Sequence, residues 1–148
     1  MKAELLKILR EAEDYVSGQQ LCDHFGVSRT AVWKVIRQLQ EEGYQIEAVK
    51  NRGYRIMTTP DVITAEEISS RLHTNWMAEN CIYLESVDST NNYAKRIAED
   101  GTPSGTLVVA DEQTGGKGRR GRSWSTPKGS NIAMTLLYTF INVPYGAL

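Results

Sequence analysis

Apolar residues in the first forty positions recur every three or four. Leu5, Leu6, Leu9 and Ala12 predict an amphipathic helix over residues 2–15. Ser17 followed by Gln20 has the capping-box pattern for a second helix, in which Leu21 and Phe25 supply the apolar stripe and Gly26 the stop. After the turn at 26–28, Ser28 caps a third helix. Its Val32, Val35, Ile36 and Leu39 face one side until Glu41-Glu42-Gly43 closes it. Two helices joined by a short glycine-containing turn are the helix-turn-helix pattern. The period then falls to two: residues 44–49 and 54–56 alternate like strands on either side of the turn-forming 50–53, which predicts a hairpin, or wing. Residues 1–60 are therefore expected to form an all-α-plus-wing winged helix-turn-helix.

Pro60 ends that pattern, and Thr64 with Glu67 opens a helix expected to run to about Leu72, so a second domain is expected over 64–148. Residues 81–84 are an apolar run. Residues 85–92 turn into a short helix over 93–99 that Asp100-Gly101 ends. Residues 106–110 read as a strand. The nearly continuous apolar run 132–141 is expected to be a strand buried on both faces. The second half is α/β or α+β.

Composition adds little to this picture, since 41% hydrophobic and 24% charged residues in 148 are ordinary for a soluble globular chain. No apolar run reaches membrane-spanning length, and charge enters the N-terminal residues too early for a signal peptide. The expectation is a cytoplasmic protein with no membrane partner. Cys22, Cys81, His24 and His73 stand apart from one another, which predicts neither a disulfide framework nor a protein metal site.

Charge changes the picture only when it is located. The net charge is −1, yet from Ser28 to Arg55 six basic residues (29, 34, 37, 50, 52 and 55) face three acids (41, 42 and 47). Arg29, Thr30, Trp33, Lys34 and Arg37 share the polar face of the third helix, and Lys50, Arg52 and Arg55 lie at or near the wing tip. That distribution points to duplex DNA, with Arg29, Thr30 and Lys34 toward the groove and Lys50 and Arg52 on phosphates. The bland alternative is a solvated face with Trp33 tucked against a neighbour.

Residues 115–131 read GGKGRRGRSWSTPKGSN, with five cations and no acid inside the segment to neutralise them. Glycines at 115, 116, 118 and 121 make such a segment costly to order, so it is expected to be mobile until an anion binds. Gly116, Gly118 and Gly121 satisfy GxGxxG, but Pro127, Gly129 and Asn131 forbid the helix a dinucleotide fold needs, and no acid follows Arg122. A Walker A motif fails because glycine follows Lys117. What remains is a strand–loop–strand unit. Its loop is either a cationic clamp for carboxylate or phosphate, with Trp124 as an apolar wall, or a mobile basic surface loop.

GGKGRRGRSW, together with the preceding DSTNNYAK and the glutamine of DEQTGG, resembles the ligand loop of the bifunctional biotin protein ligases, which also carry an N-terminal winged-helix repressor domain. The resemblance runs from about residue 4 to the end of the chain. It implies ATP-dependent formation of biotinyl-5′-AMP, with Mg²⁺, and transfer of biotin to a lysine on the biotin carboxyl carrier domain of a carboxylase. The adenylate would serve as corepressor for operator binding, and a ligand-dependent homodimer is implied. By the same resemblance Ser89, Thr90, Asn91, Gln113, Lys117, Gly118 and Arg119 contact biotin, Arg119 is catalytic, Arg120 and Arg122 lie with it on the adenylate loop, and Trp124 covers the adenylate. Lys117 stands where the family usually has arginine, which keeps the charge and loses the bidentate fork. The family's catalytic domain continues past the position of Leu148 with a Lys-Trp-Pro-Asn-Asp segment that carries the main catalytic lysine. These 148 residues are thus expected to be a fragment, inactive alone. A DNA-binding ligand sensor without ligase activity and a lipoate-ligase-like relative are the alternatives.

Overall fold

A computed structural model describes residues 1–139, which divide into two compact units, one from Met1 to Val62 and one from Ile63 onward. The first holds helices α1 (Lys2–Glu11), α2 (Gly18–Phe25) and α3 (Arg29–Glu41), then strands β1 (Gln45–Val49) and β2 (Gly53–Thr58). Its core is built from the residues whose spacing predicts it: Leu5, Leu6, Leu21 and Leu39 are fully buried, and Leu9, Val32 and Ile36 nearly so. Each such side chain contributes about 1.5–3 kcal/mol on burial. The Ser17 hydroxyl accepts from the Gln20 N–H while the Gln20 side-chain Oε1 accepts from the Ser17 N–H, a complete capping box. The Ser28 hydroxyl caps α3 through Ala31.

Helix α1 stops four residues short of the expected Tyr15. The reason is the wing. Val16 is drawn into an antiparallel bridge with Tyr54, each N–H donating to the other's carbonyl at 2.9 Å, so residues 12–16 leave the helix and Val16 alone pairs with the edge of β2. Gly53 makes this approach possible: its φ is +119°, and a Cβ there would stand 2.0 Å from the Val16 carbonyl oxygen.

The second unit contains α4 (Ala65–Ser69), β3 (Cys81–Val87), α5 (Thr90–Glu99), β4 (Leu107–Lys117), a 3₁₀ turn (Arg119–Gly121), β5 (Ser123–Thr126) and β6 (Ala133–Leu136). Helix α4 ends before the expected Leu72 because the Ser70 hydroxyl takes the Glu67 carbonyl at 2.8 Å and the Arg71 N–H turns back to Ile68. Strand β4 is the centre of the sheet. It runs parallel to β3, in register from Cys81↔Leu107 to Val87↔Gln113, and antiparallel to β6 at its start and β5 at its end. Thr106, Val108, Val109 and Ala110 are buried, and α5 packs against β4 and β6.

Two expectations are corrected. The 106–110 strand continues through Gln113 to Lys117, and β5 returns along it, so much of the expected 115–128 loop is a β-hairpin. The backbone of Gly115 and Gly116 is extended, and ladder hydrogen bonding outweighs the low strand propensity of glycine there. Strand β6, expected to be buried on both faces, is buried on one. Ala133 is covered and Thr135 turns toward α5, whereas Met134 is 63% and Leu136 40% exposed, because no described element covers that face. Residues 140–141 of that expectation, and the end of the expected second domain, lie outside the described residues.

Gly53→Ala is expected to undock the wing. Amide exchange at Val16 and Tyr54 should accelerate by at least tenfold, the first unit losing more than about 1 kcal/mol. Unchanged exchange at both amides would show that Val16 is not part of the wing.

Candidate functional site

Six residues expected to act on a ligand meet at one cleft of about 450 Å³ in the second unit: Ser89, Thr90, Asn91, Gln113, Lys117 and Trp124. That volume suits a small molecule. They come from the β3–α5 turn, from the far half of β4 and from β5, so pairing of β4 with both neighbours is what assembles them. The floor is polar and desolvated. Ser89, Thr90, Gln113 and Thr126 are all buried.

Gln113 fixes the floor. Its carbonyl oxygen accepts from the Thr90 N–H at 2.8 Å and the Thr90 hydroxyl at 3.0 Å. Since a backbone N–H can only donate, the side-chain oxygen must face Thr90, and the NH₂ is turned the other way. That NH₂ bonds no described residue and is available to an acceptor on a ligand. Thr135 of β6 completes the set: its hydroxyl lies 2.9 Å from the Thr90 hydroxyl and 3.0 Å from the Asn91 carbonyl oxygen, able to donate to either. Sequence reasoning missed Thr135. A threonine inside the apolar run 132–141 was the signal.

Asp88 was also missed, and it holds the turn from below. Its carboxylate accepts from the Asn92 amide at 2.9 Å and approaches Arg96 at 3.4 Å, and its carbonyl accepts from the Gly115 N–H at 2.7 Å. The Asn92 hydrogen bond first, then the Ser89 N–H and Arg96, hold its carboxyl down at about 2. One acid thus orients Ser89, Thr90 and Asn91 at the start of α5 and ties them to β4.

The cations divide. Lys117 lines the cleft, while Gly118, Arg119, Arg120 and Arg122 lie outside its wall, on the turn between β4 and β5. None of these three guanidiniums makes an ion pair with a described residue, and all three are exposed. Lys128 is different: it pairs with Glu85 on β3, an acid outside the segment, so four of the five cations remain for an external anion. Trp124 sits at the rim, 59% exposed, with its indole against Gly116. A Cβ at Gly116 would stand 1.9 Å from the indole nitrogen, so glycine is required by the close approach.

In the first unit Arg29, Thr30, Trp33, Lys34 and Arg37 are all exposed on α3. Trp33 is 53% exposed, not tucked against a neighbour, and Arg37 stacks over it at 5.7 Å. Arg29 donates to Gln19 of α2 at 3.0 Å. A second cleft, about 460 Å³, lies between the α2 start, Arg29 and the wing residues Lys50 and Arg52. Lys50 is exposed at the wing tip, whereas Arg52 is already engaged by Asp14.

The chain is thus a winged helix-turn-helix unit followed by a mixed α/β sheet with a cationic hairpin. Residues 2–55 match the HTH domain family and residues 83–142 the biotin/lipoate A/B protein ligase family. The bifunctional ligase/repressor BirA of Bacillus spizizenii is 41% identical over 93% of this chain, and that of Bacillus subtilis 40% over 93%. BirA of Escherichia coli is 32% identical over 98% of it. The chain is similar to these bifunctional ligase/repressors along nearly all of its own length, and it spans 42–43% of the length of these relatives.

Two outcomes test this geometry. With Trp33 and Trp76 replaced by Phe, Gly116→Ala is expected to displace the remaining indole and shift its fluorescence to the red; an unchanged spectrum would place Trp124 elsewhere. Asp88 has a folded-state pKa of about 2 against an ordinary 3.8, so its contribution is complete above 3.8 and is lost as pH falls toward 2. Asp88→Asn is therefore expected to flatten the acid limb of the second unit's stability profile in that window. An unaltered limb would count against the Asn92 and Ser89 contacts.

Proposed function

We propose that the chain supplies the operator-binding and biotin-binding parts of a cytoplasmic biotin–carboxylase ligase that also represses transcription. The observation that carries this reading is the convergence of Ser89, Thr90, Asn91, Gln113, Lys117 and Trp124 on one cleft beside an unpaired arginine cluster. A buried polar floor with both donors and acceptors suits the ureido head of biotin. The apolar wall of Ile132, Ala133 and Met134 suits its ring and chain, and the cations suit its carboxylate.

In the proposed reaction a biotin carboxylate oxygen attacks the α-phosphorus of ATP, the bond to the β-phosphate oxygen breaks, and pyrophosphate leaves. The amine of a carrier lysine then attacks the acyl carbon of biotinyl-5′-AMP, loses a proton, and AMP departs with the bonding pair. The nucleophile in each step belongs to a substrate, so no protein nucleophile is required. Lys117 would hold the carboxylate and Arg119, with Arg120 and Arg122, would face the negative charge that grows at the phosphate. Trp124 would cover the adenylate.

Mg²⁺ would neutralise the nucleotide's phosphates. Such ions are commonly held by phosphates with one or two carboxylates.

Arg29, Thr30, Lys34 and Lys50 would meet operator DNA, and the adenylate would favour a homodimer that binds it. The relatives are more than twice as long as the chain, and the 148 residues alone are not expected to biotinylate a carrier. Because the matched ligase family also includes lipoate ligases, lipoate is the second candidate ligand. Calorimetry with biotin, biotinyl-5′-AMP and lipoate decides. Biotin is expected to bind, Gln113→Ala to weaken it at least tenfold, or about 1.4 kcal/mol, and Arg119→Gly to weaken the adenylate more than biotin. Preference for lipoate would move the protein to the lipoate branch, and binding of none would refute the cleft assignment.

A further inference from the structure

The wing carries its own anion. At its turn the Arg52 guanidinium donates to both Asp14 oxygens, at 3.1 and 3.0 Å, and lies over the Tyr15 ring at 4.3 Å. The Tyr15 hydroxyl donates to Glu47 of β1, and Arg55, which is opposite Glu47 in the hairpin register, approaches the same ring at 5.9 Å. Asp14 and Tyr15 belong to the segment that the wing recruits through Val16, so the contact is built into the docking of β2.

Both hydrogen bonds come from Nη2, so the carboxylate takes one arm of the guanidinium fork, an arm that a DNA phosphate oxygen would otherwise accept from. Asp14 and Arg52 are both largely exposed, at 66% and 56%, and an ion pair so exposed adds little to folding. Its effect must be sought in what it withholds from solution. Arg52 borders the cleft between α3 and the wing, the place where a duplex backbone would run.

We propose that Asp14 is an internal competitor of the DNA backbone, occupying Nη2 of Arg52, so that the wing brings its whole guanidinium fork to duplex DNA only by giving up an ion pair of its own. This rests on the DNA-binding reading above. Losing the internal pair leaves a free carboxylate that attracts cations again, so the Arg52 contact releases fewer counterions than a free arginine would. The wing is thereby tuned to weak non-specific binding, while α3 is untouched. The Tyr15 ring, itself anchored by Glu47, still lies under the guanidinium when the carboxylate is neutralised, so removing the charge frees Arg52 without dismantling the wing.

The full chain and its Asp14→Asn, Glu13→Gln, Arg52→Gln, Lys34→Ala and Asp14→Asn/Arg52→Gln variants should be titrated against a fluorescent duplex of random sequence between 50 and 200 mM salt. Glu13 is an exposed neighbour whose neutralisation changes net charge equally. Asp14→Asn is expected to tighten binding about five- to tenfold at the lowest salt and steepen the salt slope by about 0.9, the increment for one phosphate. Glu13→Gln should give a smaller gain, and Arg52→Gln should abolish the gain in the double variant. Equal gains from Glu13→Gln and Asp14→Asn, a gain that persists without Arg52, or weaker binding by Asp14→Asn with Val16 and Tyr54 amides still protected would each overturn the competitor role. If the unaltered chain shows no salt-dependent binding and Lys34→Ala changes nothing, it is the DNA reading that fails.

Discussion

Strand β4 is the member on which the second unit is built, because its eleven residues hydrogen-bond three other strands and change character midway. Its first half, Leu107–Ala110, is buried between β3 and β6. Its second half carries Gln113, the two extended glycines and Lys117 out to the hairpin. The cleft exists because the same strand that anchors the core also presents the Gln113 side chain to Thr90 and the edge of the hairpin to Trp124. A rigid floor and an exposed arginine turn are two ends of one ladder, and the turn inherits its direction from the core.

The first unit answers a different difficulty. A two-stranded hairpin has too little buried surface to be stable alone in water. Here the linker between α1 and α2 supplies the missing partner: Val16 adds the third backbone pairing, Tyr15 the packing surface and Asp14 the counter-charge. Shortening α1 is the cost of fixing the wing relative to α3.

Much of this was legible in the sequence, and the residues show why. Helices α2 and α3 announce themselves through Ser17, Gln20, Gly26 and Ser28, whose effects are confined to one turn. The wing was equally plain. What escaped was set by partners distant along the chain. Nothing near Ala12 tells that Tyr54 will claim Val16, and nothing near Gly116 tells that β5 will return to pair with it. The site shows the same division. The motif residues around 89–91 and 113–117 were recognisable together, but Thr135 belongs to the floor only because β6 lies across β4 from β3. Lys128 seemed one of five equivalent cations until Glu85, forty-three residues away, was found beside it.

The crossover β3–α5–β4 has a consequence for how the chain acquires its structure. Parallel pairing of Cys81 with Leu107 requires the whole intervening segment to close before the first ladder bond can form, and such long-range closure is slow. The three-helix cluster of the first unit needs only contacts close in sequence, and it precedes the sheet in order of synthesis. A ribosome would thus release a finished winged helix while the sheet was still searching for its register. During that interval the folded first unit would carry an unpaired apolar strand behind it, which makes the second unit the aggregation-exposed part of the growing chain.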